Sequence, residues 1–372
     1  MVEKNQSVDV FVVGGGPAGL VAAIAARQQG LSVTVADGSD HPIDKPCGEG
    51  LIPETQAALA KLNIRIPQDA GFRFRGIRFV HDKTQACAEY PIGEGVGIRR
   101  TVLHELLVAK AEECGVEMLW KTPVAGIHAG GVDLKNRGIS ARWIVGADGS
   151  GSRVRRWSGL DFTSYRQERF ASRRHYRVKP WTDHMEIYWG PAAQGYVTPI
   201  SSDEVCVVVL SERLQDANFE KSLDYLPVLK NHLANAELSS RERGAVTAMH
   251  RLERVCQGNV ALVGDASGSV DAITGEGLRL AFCQALVLAE GLKRGDLTEY
   301  QRVHRQLLRR PTMMGRLMLL MGRNGMVRNR ALKSLAGQPG LFAEFLAIHA
   351  GKANAGTIVS AGARMGWGLL AA

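Results

Sequence analysis

"VDVFVVGGGPAGLVAAIAA", Val8 to Ala26, carries one charged residue, Asp9, and a cluster of glycines at its centre. An apolar run of this length either crosses a membrane or folds as strand, turn and helix around a ligand. A spanning helix needs about 20 mostly apolar residues in continuous helix. Here Gly14, Gly15, Gly16 and Pro17 stand in the middle, where they break a helix. Val8 to Val13 is β-branched and aromatic, as suits a buried parallel strand. Ala18 to Gln29 suits a helix, and Gly30 ends it. A second β-branched run, LSVTVAD (31–37), follows. The pattern is a βαβ unit, and the membrane reading fails.

Gly14, Gly16 and Gly19 have the spacing G-x-G-x-x-G, with Pro17 and Ala18 inside the loop. The first glycine permits a tight turn, the second lets the backbone approach a diphosphate, and the third lets helix and strand pack closely. The helix N-terminus then turns free N–H groups and a positive dipole end toward the phosphates. Asp37, closing the second strand, stands where a ribose-binding carboxylate belongs. A dinucleotide site is expected.

At 372 residues the chain exceeds one average domain, and 45% hydrophobic with 22% charged residues is a soluble globular balance. The net charge of +9 is moderate for 46 basic against 37 acidic residues. No zinc-finger spacing or RNA-binding aromatic motif accompanies it, so nucleic acid is not an expected partner. The six cysteines are scattered singly without a C-x-x-C pair, and no metal site is expected. The N-terminus lacks the pattern of a signal peptide, which makes a cytoplasmic location the expectation.

Two further segments bear on the cofactor: GADGSGSRVR (146–155) and GDASGSVDAITGEG (264–277). With the Gly14 loop they resemble, in order, three fingerprints of the geranylgeranyl reductase-like and flavoprotein aromatic hydroxylase superfamily, of p-hydroxybenzoate hydroxylase fold. The resemblance covers most of residues 6–300 and implies FAD. It implies that Asp265, after Gly264, bonds the ribityl chain, and that Asp148 and Gly149 touch FAD and a transient NAD(P)H. Asp265 as a helix cap is the plainer alternative. Gly275 and Gly277 open a helix whose N–H groups would face the flavin edge. The helix read over Arg99–Gly115 matches the superfamily's R-x-x-L helix and places Arg100 beside FAD. DKPCGEGLIP (44–53) resembles its K-x-C-G loop near the isoalloxazine, which brings Lys45, Cys47 and Gly48 into the site.

The position five after Cys47 is Ile52, which excludes the local redox disulfide of disulfide oxidoreductases. Cys47 either lines the active site or packs in a tight turn; Glu49 is expected to be exposed. No second glycine fingerprint follows a strand, so reduction comes from a docked nicotinamide or a separate reductase. Short runs between about 160 and 254 read as an antiparallel sheet. FRFRGIRFV (72–80) alternates until Gly76, where parity shifts as at a bulge. Tyr188, Trp189 and Tyr196 are candidate pocket walls in that sheet, with ordinary strand core as the plainer reading. GYVTP (195–199) lacks the tryptophan of the reductase and halogenase relatives, and the W-x-W-x-I-P of halogenases is missing, which disfavours halogenation.

From Lys293 to Lys333 there are eleven Lys/Arg and two acids, and Arg302, Arg309, Arg316, Arg323 and Arg330 recur every seven residues. Pro311, Gly322 and Gly325 should divide this tail into two or three short helices. It reads as a solvated face packed on the cofactor domain, with an amphipathic cover touching anionic lipid or a long apolar substrate as the functional alternative.

The expected fold is therefore α/β. A Rossmann-like FAD-binding domain (1–70, 96–160 and 255–297) joins an antiparallel β-sheet substrate domain (71–95 and 161–254) and a helical C-terminal region (298–372). The expected function is an FAD-dependent monooxygenase using NAD(P)H on a hydrophobic small molecule such as a polyketide or isoprenoid. The alternatives are a C=C reductase of geranylgeranyl reductase type and a non-catalytic partner protein. Cys47 and Tyr196 are the candidate catalytic residues.

Overall fold

The computed structural model describes residues 7–161 and 163–371; residues 1–6, 162 and 372, which the boundaries above include, lie outside it. The opening stretch folds as a strand, Ser7–Val13, followed by helix α1 (Pro17–Gln28). Among the described residues no helix is long and apolar enough to cross a membrane. The first sheet has a parallel centre in the order Val260–Leu262, Gly138–Gly146, Ser7–Val13, Val33–Ala36 and Glu117–Leu119. Both faces of these strands are covered, which is why VFVV runs apolar without alternation and why Thr34 in VTVA is buried, its hydroxyl donating to Glu117 Oε2 (2.7 Å). Helices α2 (Pro53–Ala60), α3 (Arg100–Glu113) and the short α4 (Arg153–Trp157) belong to this unit. Gly115 follows α3 with φ +76°, the left-handed stop expected of it.

The second sheet runs Glu237–Leu238, Thr163–Arg177, Glu204–Ser211, Ala193–Pro199, His184–Trp189, Gly76–His81 and Thr84–Glu89, with Arg243–Leu252 also on Thr163–Arg177. It is antiparallel except where Gly76–His81 runs parallel to His184–Trp189. The parity break at Gly76 is a change of sheet rather than a bulge. Phe72–Phe74 pairs with Gly95–Gly97 in a separate three-stranded sheet, and the chain then enters the second sheet. A Cβ on Gly76 would lie 2.0 Å from the Ala88 carbonyl oxygen, so only glycine fits the crossing. One face of the second sheet is covered by α5 (Phe219–Asp224) and α6 (Pro227–Leu233) and includes Tyr188. The other face carries Phe79, Met185, Trp189 and Tyr196 toward the C-terminal helices.

Those helices are α8 (Thr298–Arg323), α9 (Gly325–Gly337), α10 (Pro339–His349) and α11 (Ala355–Ala371), while α7 (Gly277–Arg294) before them packs on α1 in the core of the first unit. The chain breaks at Asn324 as expected, but α8 runs unbroken through Pro311. A proline inside a helix costs about 3 kcal/mol, and burial of the apolar face on both sides of it outweighs that. Tyr300, in the first half of α8, joins the core of the first unit, and Met318, Leu319 and Met321 join that of the second sheet. Arg302, Arg309, Arg316 and Arg323 lie outward and exposed.

His304, also on α8, is buried with Nε2 2.9 Å from Ser267 Oγ. Burial pushes its pKa down to about 4, with a smaller push from Arg305. A depressed histidine leaves the unfolded chain binding the extra proton, so stability is complete above the ordinary value of 6.5 and falls toward about 4. Between pH 7 and pH 5 this group alone is expected to remove about 2 kcal/mol. In His304→Gln, urea unfolding at the two pH values should lose that part of the difference; an unchanged difference would locate the acid sensitivity elsewhere.

Candidate functional site

The glycine loop sits between Ser7–Val13 and α1. Gly14 N–H donates to the Ala36 carbonyl (2.8 Å), and Gly15 N–H to Asp37 Oδ2 (2.8 Å). Asp37 Oδ1 accepts from Ser39 N–H, so this carboxylate braces the loop from the end of the second strand. His104, fully buried on α3, places Nε2 2.8 Å from the Gly15 carbonyl. Burial holds its pKa below the ordinary value, against the raising effect of that bond. A neutral ring donating from Nε2 follows. The N-terminus of α1 has no side-chain cap, leaving its first N–H groups free.

Asp148, on the loop after Gly138–Gly146, accepts from Ser152 Oγ (2.5 Å) and from the N–H groups of Arg153 (2.7 Å) and Val154 (3.2 Å). Arg155 is buried; it pairs with Asp161 (2.8 Å) and donates to the carbonyls of Ser150 and Ala266. The D-G-x-x-S-x-x-R pattern thus fastens the second fingerprint to the third. Gly264 N–H donates to Gln284 Oε1 (2.9 Å) on α7. The next residue, Asp265, is solvent-exposed although protein atoms crowd around it. The crowding by protein raises its carboxyl above the usual range, while Arg100, Lys45 and His250 pull it back.

Lys45, Cys47 and Gly48 lie on the loop before Gly50. Lys45 Nζ lies 4.0 Å from where a side chain on Gly149 would begin. Cys47 is a half-buried free thiol whose Sγ accepts from Glu49 N–H at 3.4 Å. The loop is stitched to the second sheet by Thr198 Oγ1 donating to the Gly48 carbonyl and Cys206 Sγ to that of Cys47. Glu49 is not exposed: its side chain is wholly buried, with φ +58°. Oε1 accepts from Arg100 N–H (2.9 Å) and Arg173 Nη1 (3.0 Å), and Oε2 faces His175 Nε2 (2.7 Å). Arg173 also binds Asp44, and Arg99 reaches both His175 Nδ1 and Glu204. These partners replace the hydration that the buried carboxylate has lost.

Ligand-type atoms of Glu49, His175 and Cys206 lie within 4.8 Å of one another. Both Glu49 oxygens are already engaged, and burial raises the Cys206 thiol well above its ordinary value. With Arg99 and Arg173 adding positive charge, the group is built as a clamp on the loop and opposes a cation.

Gly275 (φ +66°) ends the turn Ala272–Thr274, and Glu276 precedes α7, whose N-terminus also lacks a side-chain cap. Asp271 caps that turn through Ile273 N–H (2.9 Å) and pairs with Arg169 (2.9 Å), both side chains 2% exposed. Tyr196 is buried, its hydroxyl donating to the Ile273 carbonyl (3.0 Å).

A Cβ at Gly16, Gly48, Gly275 or Gly277 would meet no heavy atom within 4 Å. Around the accessible Asp265 this leaves a cradle lined by backbone, and the buried Arg100 Nε beside it lacks a hydrogen-bond partner. Uncapped helix ends for phosphates, a carboxylate for hydroxyls and a guanidinium with one unpaired nitrogen fit a flavin dinucleotide. His104 and the Glu49 clamp were missed in the sequence. His104 had a signal, since it stands beside Leu103 on the apolar face of its helix.

A family model described as "FAD binding domain" matches residues 7–294. Menaquinone reductase of Mycolicibacterium smegmatis is 27% identical over 330 residues, covering 80% of this chain and 79% of its own. Digeranylgeranylglycerophospholipid reductase 1 of Methanococcoides burtonii is 28% identical over 323 residues, 78% and 76% of the two chains. The crystal structure of a flavoprotein/dehydrogenase from Cytophaga hutchinsonii superposes with a TM-score of 0.79 over 93% of each chain at 20% identity, a likeness of fold.

Proposed function

Because the chain belongs to the FAD binding domain family, it is an FAD-dependent oxidoreductase, and we propose that it reduces carbon–carbon double bonds of a long, hydrophobic, isoprenoid-like molecule. The observation that carries this reading is the clamped K-P-C-G-E-G loop, which sets a free, half-buried thiol beside the open space at Gly48. The names of the two curated relatives, each matching over about four fifths of this chain, support the same class.

When bound, reduced FAD would supply a hydride equivalent, the hard part of the chemistry. The residues of this chain do the rest. The free N-termini of α1 and α7 hold negative charge, and Asp265 accepts from hydroxyls. Cys47 Sγ would give its proton to the carbon that does not receive the hydride and regain one from solvent. Met185, Met318 and Met321 offer an adaptable apolar wall between the second sheet and α8 for an extended chain. A docked nicotinamide or a separate reductase returns the electrons.

Turnover without oxygen tests the reading. Holoenzyme reduced beforehand and mixed anaerobically with a geranylgeranyl lipid or menaquinone is expected to reoxidise and yield the saturated product. If product forms only when oxygen is admitted and carries an added oxygen atom, the protein is a monooxygenase instead. If neither happens with any member of the class, the substrate assignment falls.

A further inference from the structure

We infer that α11 is a membrane-docking surface that seats the protein on an anionic lipid bilayer. On this helix Val359 is 71%, Trp367 73% and Leu370 80% exposed. At 100° per residue these three fall on one side, together with Gly362, Ala363 and Gly366. That whole outward face carries no charge. Its opposite side is held down by Ala361 and Met365, buried in the core beneath. Single exposed apolar residues are ordinary, but a contiguous uncharged face with an exposed tryptophan marks an interaction surface.

Charge selects the occupant. Residues 293–372 hold thirteen Lys/Arg against three Asp/Glu. Several of the bases rim this helix. Arg310 reaches to the turn at Gly351 before its N-terminus, next to the exposed Lys352. Arg330 donates to the Leu369 carbonyl near its C-terminal end (2.8 Å), and Lys333 is exposed on the neighbouring α9. Glu344 is occupied by Arg364 (2.8 Å). Apolar residues framed by bases match a bilayer whose headgroups are negative, where each base near the surface adds to binding and tryptophan sits at the interface. A second copy of the chain would bring two basic rims together, which like charge opposes.

The surface also stands near the chemistry. α11 packs on α10, and His349 at the end of α10 lies 3.5 Å from the Glu276 carboxylate, next to the cofactor cradle. Docking there would let a lipid pass from bilayer to cleft without crossing water; that delivery rests on the function proposed above, whereas the docking does not.

Cosedimentation of the FAD-loaded protein tests it, using vesicles of phosphatidylglycerol and phosphatidylcholine in equal parts against pure phosphatidylcholine. Binding is expected on the anionic vesicles, weakening as salt rises. The double variant Val359→Asp/Leu370→Asp should bind at least about tenfold more weakly. Lys352→Glu, which leaves the apolar face intact, should bind more than about fivefold more weakly. Flavin content and NAD(P)H-independent reduction by dithionite should stay unchanged in both, separating lost docking from lost fold. Wild-type protein left in the supernatant, or full binding by the double variant, overturns the inference. So does a dimer that the double variant splits while vesicles bind neither form, since the face then belongs to a second copy.

Discussion

Gly19→Ala is expected to purify colourless, with FAD affinity lowered about a hundredfold or more. A Cβ at this position would lie 1.9 Å from the Gly14 carbonyl oxygen and 3.2 Å from Ala147 Cβ. Gly14 has nowhere to retreat. Its φ is +110°, and its own Cβ position is 2.5 Å from the Ala147 carbonyl oxygen. Ala147 is in turn held by its N–H bond to the Val13 carbonyl (2.8 Å). The loop must therefore swing outward, away from the strand that aims its N–H groups. Gly16→Ala is the informative companion, because a methyl there meets no heavy atom of the protein within 4 Å. It should leave the thermal stability of the apoprotein unchanged and still weaken FAD, whereas Gly19→Ala lowers both. Titration of each apoprotein with FAD, followed by flavin absorbance, measures the effect. Wild-type affinity in Gly19→Ala would falsify the assignment of the phosphate site to this loop.

The second large effect is structural. Asp271→Ala is expected to cost about 3–5 kcal/mol, because it leaves the buried Arg169 guanidinium without its carboxylate. Arg169 keeps a bond from Nη2 to Gln194 Oε1 (2.7 Å), but an amide does not neutralise a buried charge. Adding Arg169→Met to that variant removes the stranded charge and should recover most of the loss. Urea unfolding of the two single variants and the double gives the coupling directly. The same carboxylate caps the turn that leads to Gly275, so Asp271→Ala should also release FAD faster. If the aspartate variant unfolds within about 0.5 kcal/mol of wild type, water reaches the pair and the argument from burial is wrong.

Much of the site was legible because its signals are local. The left-handed φ of Gly14 and the helix-opening Pro17 act within a few residues, and the strand–loop–helix pattern follows directly from their positions. Asp37 and Asp148 were identified as site residues, but their present hydrogen bonds brace backbone loops around the cradle. The reading of Glu49 failed for a different reason. A carboxylate beside two glycines in a loop is ordinarily solvated, and only partners from elsewhere make its burial tolerable. His175 comes from 126 residues away and Arg173 from 124, and no local pattern announces either. Pro311 failed likewise, since local propensity argues for a break that packing of α8 on two cores overrides.

By itself the amino-acid order determined the α/β class, the three fingerprints and the cofactor they resemble, because glycine conformation and hydrophobic period are properties of short segments. Only the tertiary structure decided that Glu49 is a buried clamp, that the chain changes sheet at Gly76, and that the last helix turns an uncharged face outward. Each of those depends on what stands opposite a residue in space. The free energy of burying a charge or exposing an apolar face is set by neighbours that sequence distance does not predict.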